Sequence, residues 1–314
     1  MEALAQSDPE IARRLRFLDL VLAEQTSDKL KKHTQQFVGA NKCPSAAGCE
    51  RLYGRSVWIM ALLNDESVTA DARARVLLAA LEKLLPACDG ADDRTGQFRA
   101  SVRDLVQKGL LFLAQMPWSA QDKVDEIFHL GLVDQCTLVE PVWWWSSLVK
   151  LDREHALKLA AHVIETLPAI EPSHARTWKT LGARWTRLRL KSFLQFADDK
   201  PLLAQLLSRS AVDDFEAAQA VDLLKQTGRG RDALTLAERW HRTLPASPVL
   251  AWALAQLYLE DGWDQEALAL ITWQYERDPN PKWLPMMQQA AGSQWSVWQK
   301  HFDLPTTGTL ARDD

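Results

Sequence analysis

The sequence predicts an all-α chain, a right-handed α-solenoid of antiparallel helical hairpins. Three observations carry that expectation. Leu and Ala dominate the 314 residues, only 13 are Gly, and the alternation of Val, Ile, Thr and Tyr that marks a half-buried strand is missing. Apolar residues recur at helical spacing in one segment after another. A period of 34 residues runs through 214–281.

The first element is a helix over 8–24. Asp8 is placed to cap it, Pro9 suits its first turn, and Ile11, Leu15, Leu18 and Leu22 fall on one stripe. The opening "MEALAQSDPEIARRLRF" has no apolar secretory core, and no run of about 18 apolar residues follows anywhere. A cytoplasmic chain without a membrane partner is expected. "DPEIARRLRFLDLVLAE" also resembles helical regions that accompany SWIM-type zinc fingers, but the ligand pattern of that finger is absent and no function carries over.

Four cysteines, Cys43, Cys49, Cys88 and Cys136, are scattered too widely for a disulfide framework. Cys43 and Cys49, with His33 upstream, do not match the tighter pairs of a structural zinc site, so they read as loop thiols. No metal and no cofactor are expected.

Helices are expected next over 69–86, 98–116, 152–167, 174–197, 214–227, 230–244, 248–261 and 264–277, broken by short Pro, Gly, Asp or Ser signals. Ala74 with Pro86, and Ala156 with Pro168, share a twelve-residue interval, each preceded by an aromatic-rich segment: "WIMALL" (58–63) and "EPVWWWSSLVK" (140–150). "WKTLGARW" (178–185) has the look of a first helix, but no Ala and Pro follow it in register. The chain therefore divides into a helical region over 1–135, degenerate hairpins over 136–213, two clear repeats over 214–281, capping helices over 282–304 and a polar tail over 305–314.

In the repeats, Gly228 returns as Gly262, Ala233 as Ala267 and Pro245 as Pro279. Each unit reads as helix, tight turn at Gly, second helix opening near a small Ala, then a closing Pro, which has no N–H to donate. Small residues let the paired helices approach, and larger apolar ones fill the space between hairpins. With Leu254, Ala255 and Tyr258 also in place, this stretch resembles the tetratricopeptide repeat family. In the first unit Ala220 and Leu224 match as well, while Val221 replaces the usual small residue. Trp283, Trp295 and Trp298 would cover the end of the stack.

The resemblance implies that first helices line a groove. Its lining would be Phe215, Ala218, Asp222, Lys225 and Gln226 in one unit, and Val249, Trp252, Gln256, Leu259 and Glu260 in the next. Trp252 beside Phe215 would then be an aromatic anchor for a peptide, unless the capping segment folds over them. The same register would place Trp143 and Trp144 in packing positions and Trp145 toward the groove. Three successive helical side chains span about 200°, so the triplet cannot form one flat platform.

The strongest charge feature lies over 175–197, with six Lys or Arg and no Asp or Glu. On a helix Arg176, Arg184, Arg187 and Lys191 fall within about 80° of one another, apart from an apolar stripe of Trp178, Leu181, Trp185 and Leu188. Such a ridge is either a solvated face or a docking site for an acidic peptide or a nucleic-acid backbone. The overall charge of −4 favours the peptide.

No phosphate-binding, dinucleotide, nucleophile-elbow or zinc-protease motif is present. His155 and His162, seven apart, share a helix face, but no carboxylate pattern in the sequence converges on them. The expected role is a non-enzymatic scaffold or adaptor for a protein or peptide. A nucleic-acid-binding repeat protein and an enzyme with an unfamiliar site are the alternatives.

Overall fold

A computed structural model describes residues 9–25, 29–39, 45–134, 137–169 and 181–303. It is all-α, and no strand occurs among the described residues. The first elements are α1 (Pro9–Ala23), α2 (Lys29–Val38), α3 (Ala46–Leu62) and α4 (Ala70–Ala87). They are followed by α5 (Gln97–Gln115), α6 (Ala120–Val133), α7 (Pro141–Thr166) and α8 (Leu181–Phe196). Then come α9 (Lys200–Ser210), α10 (Asp214–Gln226), α11 (Gly230–Thr243), α12 (Pro248–Glu260) and α13 (Asp264–Arg277). A 3-10 turn at Pro281–Trp283 leads into α14 (Leu284–Ala291), and α15 (Trp295–His301) comes last.

Starts are set by short polar side chains that satisfy otherwise orphaned amides. Ser45 accepts from the Gly48 amide, Thr69 from Ala72, Ser119 from Asp122, and Asp199 from Leu202. In the repeats, Asp213 accepts from Glu216, and Ser247, 34 residues on, accepts from Leu250. The caps therefore recur with the period, along with the turns.

The chain forms two compact units: Met1–Thr166 with Gly182–Asp198, and Leu167–Leu181 with Asp199–Asp314. In the first, helices pack on their chain neighbours and also on the next but one, α2 on α4, α3 on α5 and α4 on α6. Its core runs through α4, where Val76, Leu77, Leu81 and Leu84 are all but fully buried. Gly109 on α5 meets that helix closely, since a Cβ there would lie 2.9 Å from Leu77 Cδ2. Cys49 and Cys88 are buried on α3 and at the end of α4, so Cys49 is a packed helix residue rather than a loop thiol.

The tryptophan triplet departs from expectation. Asp152 breaks α7 with non-helical backbone (φ −161°, ψ 91°), and its carboxylate accepts from the His155 amide. One residue, not a loop, separates the segment carrying the triplet from the segment carrying Ala156. Trp144 and Trp145 are fully buried, while Trp143 is 43% exposed. The Trp145 indole donates to Ser192 Oγ at 3.1 Å, packs against Phe193 and lies on Gly131, where a Cβ would come within 2.8 Å of the ring.

In the second unit α9, α10, α11, α12 and α13 pack in succession, α10 also meets α12, and α12 meets α14. Ala217, Ala251, Ala233 and Ala267 have no exposed surface. These small residues, paired 34 apart, are thus packed inside the helix pairs.

Candidate interaction surface

The turns at Gly228 and Gly262 close α10 and α12 in the same way. Gly228 has φ +76° and Gly262 φ +75°. In each, the residue after Gly donates back five residues, Arg229 to Leu224 O at 2.8 Å and Trp263 to Tyr258 O at 2.7 Å. This is the left-handed Schellman closure of a helix, which glycine adopts without a Cβ penalty. Ser247 Oγ donates to Asp214 Oδ2 at 2.7 Å and links the first helices of successive units.

None of the ten positions that the resemblance would turn toward a groove is buried. Lys225 Nζ meets Glu260 Oε1 at 2.7 Å, which joins α10 and α12 across this face. Asp222 is exposed and holds Gln226 Nε2 at 2.7 Å, and Gln256 is half-buried. Phe215 is 69% exposed, the largest exposure among the described large apolar side chains.

Trp252 and Leu259 lie differently. Both pack against the cluster of Trp283, Met286 and Met287, with the Trp252 and Trp283 ring centroids 5.2 Å apart. Lys282 Nζ also stands 6.0 Å from the Trp252 ring. The segment after α13 thus covers the apolar surface that α12 and α13 leave at this end. Trp283 and Trp295 take part as expected, whereas Trp298 stacks on Phe302. The aromatic anchor left open is Phe215, not Trp252.

The expected basic ridge does not form on α8. Arg184 is exposed and Lys191 half-buried, but Arg187 is 1% exposed, and Arg176 lies outside the described residues. Arg189, which was not part of the ridge, is buried too, and its Nη2 meets Asp134 Oδ2 at 2.6 Å. Facing the core, these arginines are helix-packing residues. Trp145, likewise expected at the surface, belongs to that core.

The histidine pair also separates. His162 is exposed, while His155 Nε2 lies 2.7 Å from Asp125 Oδ1 of α6. Asp125 stands 30 residues away, beyond the reach of any local pattern. Asp125 and Glu126 border a cavity of about 350 Å³ with Asp71, Asp122 and Trp118. Burial, with Glu82 and Asp125 close by, holds the Glu126 carboxyl above its usual range against the pull of Lys31. Among the described residues no three His, Cys, Asp or Glu are grouped to hold a metal ion, and no helix is long and apolar enough to cross a membrane.

Set against protein-family models and against curated proteins, the chain matches none of them.

Proposed function

We propose that the chain is an α-solenoid whose C-terminal third is built from tetratricopeptide-like repeats, and that it serves as a protein-interaction scaffold. The bound segment would lie across α10 and α12, with Phe215 as its apolar anchor and Asp222, Lys225 and Gln256 as polar contacts. The observation that carries this reading is the exposure of Phe215, at 69%, on a face that α10 and α12 share. Apolar side chains left open inside a polar frame are where binding energy concentrates. A nucleic-acid backbone is disfavoured, because Arg187 and Arg189 are buried.

The test is selection from a displayed peptide library on the full chain, followed by affinity measurement on the Phe215→Ser variant. Exchanging an exposed Phe leaves the melting temperature unchanged, while peptide affinity falls by about tenfold or more. Equal affinity for both proteins, or no enriched peptide at all, would sink the proposal.

A further inference from the structure

The repeat supplies an internal comparison. Positions 34 apart do the same architectural work, so a residue that differs in chemistry between the units is not dictated by the fold. The turn at Gly228 and the turn at Gly262 differ in this way. In the second unit Trp263 stacks on Tyr258, with centroids 5.6 Å apart and planes inclined by 23°, and Trp273 stands ten residues further on. Their equivalents in the first unit are Arg229, Leu224 and Arg239. Two indoles are replaced by two guanidinium groups, and a tyrosine by a leucine.

Where the first unit carries these exchanges it has a cavity of about 230 Å³, walled by Ser208 of α9, Leu224 of α10, and Arg229, Asp232, Thr235 and Arg239 at the start of and along α11. Its charges do not cancel. Arg229 Nε is paired with Asp232 Oδ2 at 2.7 Å, but Arg239 has no carboxylate partner among the described residues. Its Nη2 donates to the Ser208 carbonyl at 3.2 Å, and its Nε is buried with no acceptor. The Ser208 and Thr235 hydroxyls donate to backbone carbonyls of their own helices, and neither reaches the Arg239 Nε. A half-buried guanidinium facing an open cavity without a counter-charge favours an anion there.

We propose that this cavity binds a small carboxylate or phosphate group between Arg229 and Arg239. The site shares no residue with the peptide-binding face of α10 and α12, so it stands or falls independently of that reading. The volume admits a small organic acid or a phosphate group with a short substituent, and Leu224 and Leu236 give such a substituent an apolar wall. Asp232 limits the charge: it leaves one net positive charge from the three ionised lining groups.

The experiment is a titration of the full chain with inorganic phosphate and, separately, with acetate, each against sodium chloride at matched ionic strength. Binding is followed by the backbone amide resonances of Gly230, Arg231 and Thr235. Saturable shifts are expected with at least one of the two oxyanions, and which one responds identifies the class of ligand. Arg239→Gln weakens that binding by about tenfold or more, the loss of one charge-assisted contact. Arg231→Gln, an exposed cation on the same helix that does not line the cavity, leaves it unchanged. The proposal is overturned if chloride gives the same shifts, if neither oxyanion saturates, or if the affinity is unchanged in Arg239→Gln.

Discussion

Asp134 shows what a single residue can hold in this chain. It has no exposed surface, yet it accepts from the Leu138 and Val139 amides, the Trp144 indole and the Arg189 guanidinium. Arg189 adds a second bond to the Gly131 carbonyl at 3.1 Å. Together these fix the loop after α6, the inner face of the triplet on α7, and α8. Removing one side of a buried pair leaves the other charge desolvated, which costs more than the pair contributes. Asp134→Ala is therefore expected to lose about 3–5 kcal/mol of stability in urea unfolding. Asp134→Ala with Arg189→Met should recover part of that loss, because no unpaired charge remains. A single-variant loss under about 1 kcal/mol would mean that water already satisfies Arg189. Little of this was legible in the sequence: Asp134 and Arg189 are 55 residues apart, and a helical wheel assigns arginines to solvent by default.

Elements were far more legible than contacts, because caps and turns act within a few residues. The segments expected over 214–227, 230–244, 248–261 and 264–277 appear as Asp214–Gln226, Gly230–Thr243, Pro248–Glu260 and Asp264–Arg277. Helices α2, α3, α6 and α9 were not singled out, although Ser45, Ser119 with Asp122, and Asp199 with Pro201 are start signals for the last three. The repeat turns yield a prediction at this scale. Gly228 and Gly262 have nearly identical positive φ, and nothing stands within 4 Å of a Cβ added at either. Substitution by Ala then meets backbone strain alone, and each should cost about 1–2 kcal/mol, the same within error. Gly230→Ala is the control, since it has open space and no positive φ, and should be neutral or slightly stabilising. Unequal costs at the two turns, measured by chemical denaturation, would show that the units are not equivalent where the period is clearest.

Whole-molecule stability depends on pH through groups whose ionisation the fold perturbs in opposite directions. Both belong to the compact unit formed by Met1–Thr166 with Gly182–Asp198. Glu10 is held by a two-point contact from Arg55, at 3.0 and 3.1 Å, and this bonding keeps its carboxyl below the usual range. The folded chain therefore releases that proton more readily than the unfolded one, and Glu10 stabilises it at neutral pH. That stabilisation declines as pH drops below the unfolded carboxyl value near about 4.3 and is gone once Glu10 is protonated in both states. Glu126 behaves in the reverse sense. Burial raises its carboxyl, so the folded chain keeps the proton longer, and stability falls as pH climbs through the carboxylate range. Glu126→Gln should consequently raise the melting temperature at pH 7 and leave it unchanged at about pH 3, where the native side chain is neutral as well. Glu10→Gln should lower it at pH 7, again with the difference vanishing in acid. Thermal unfolding of both variants across that range checks the pair. An Ion pairing of Glu126 that outweighed its burial would reveal itself as a lower melting temperature for Glu126→Gln at pH 7, and would give both glutamates the same role.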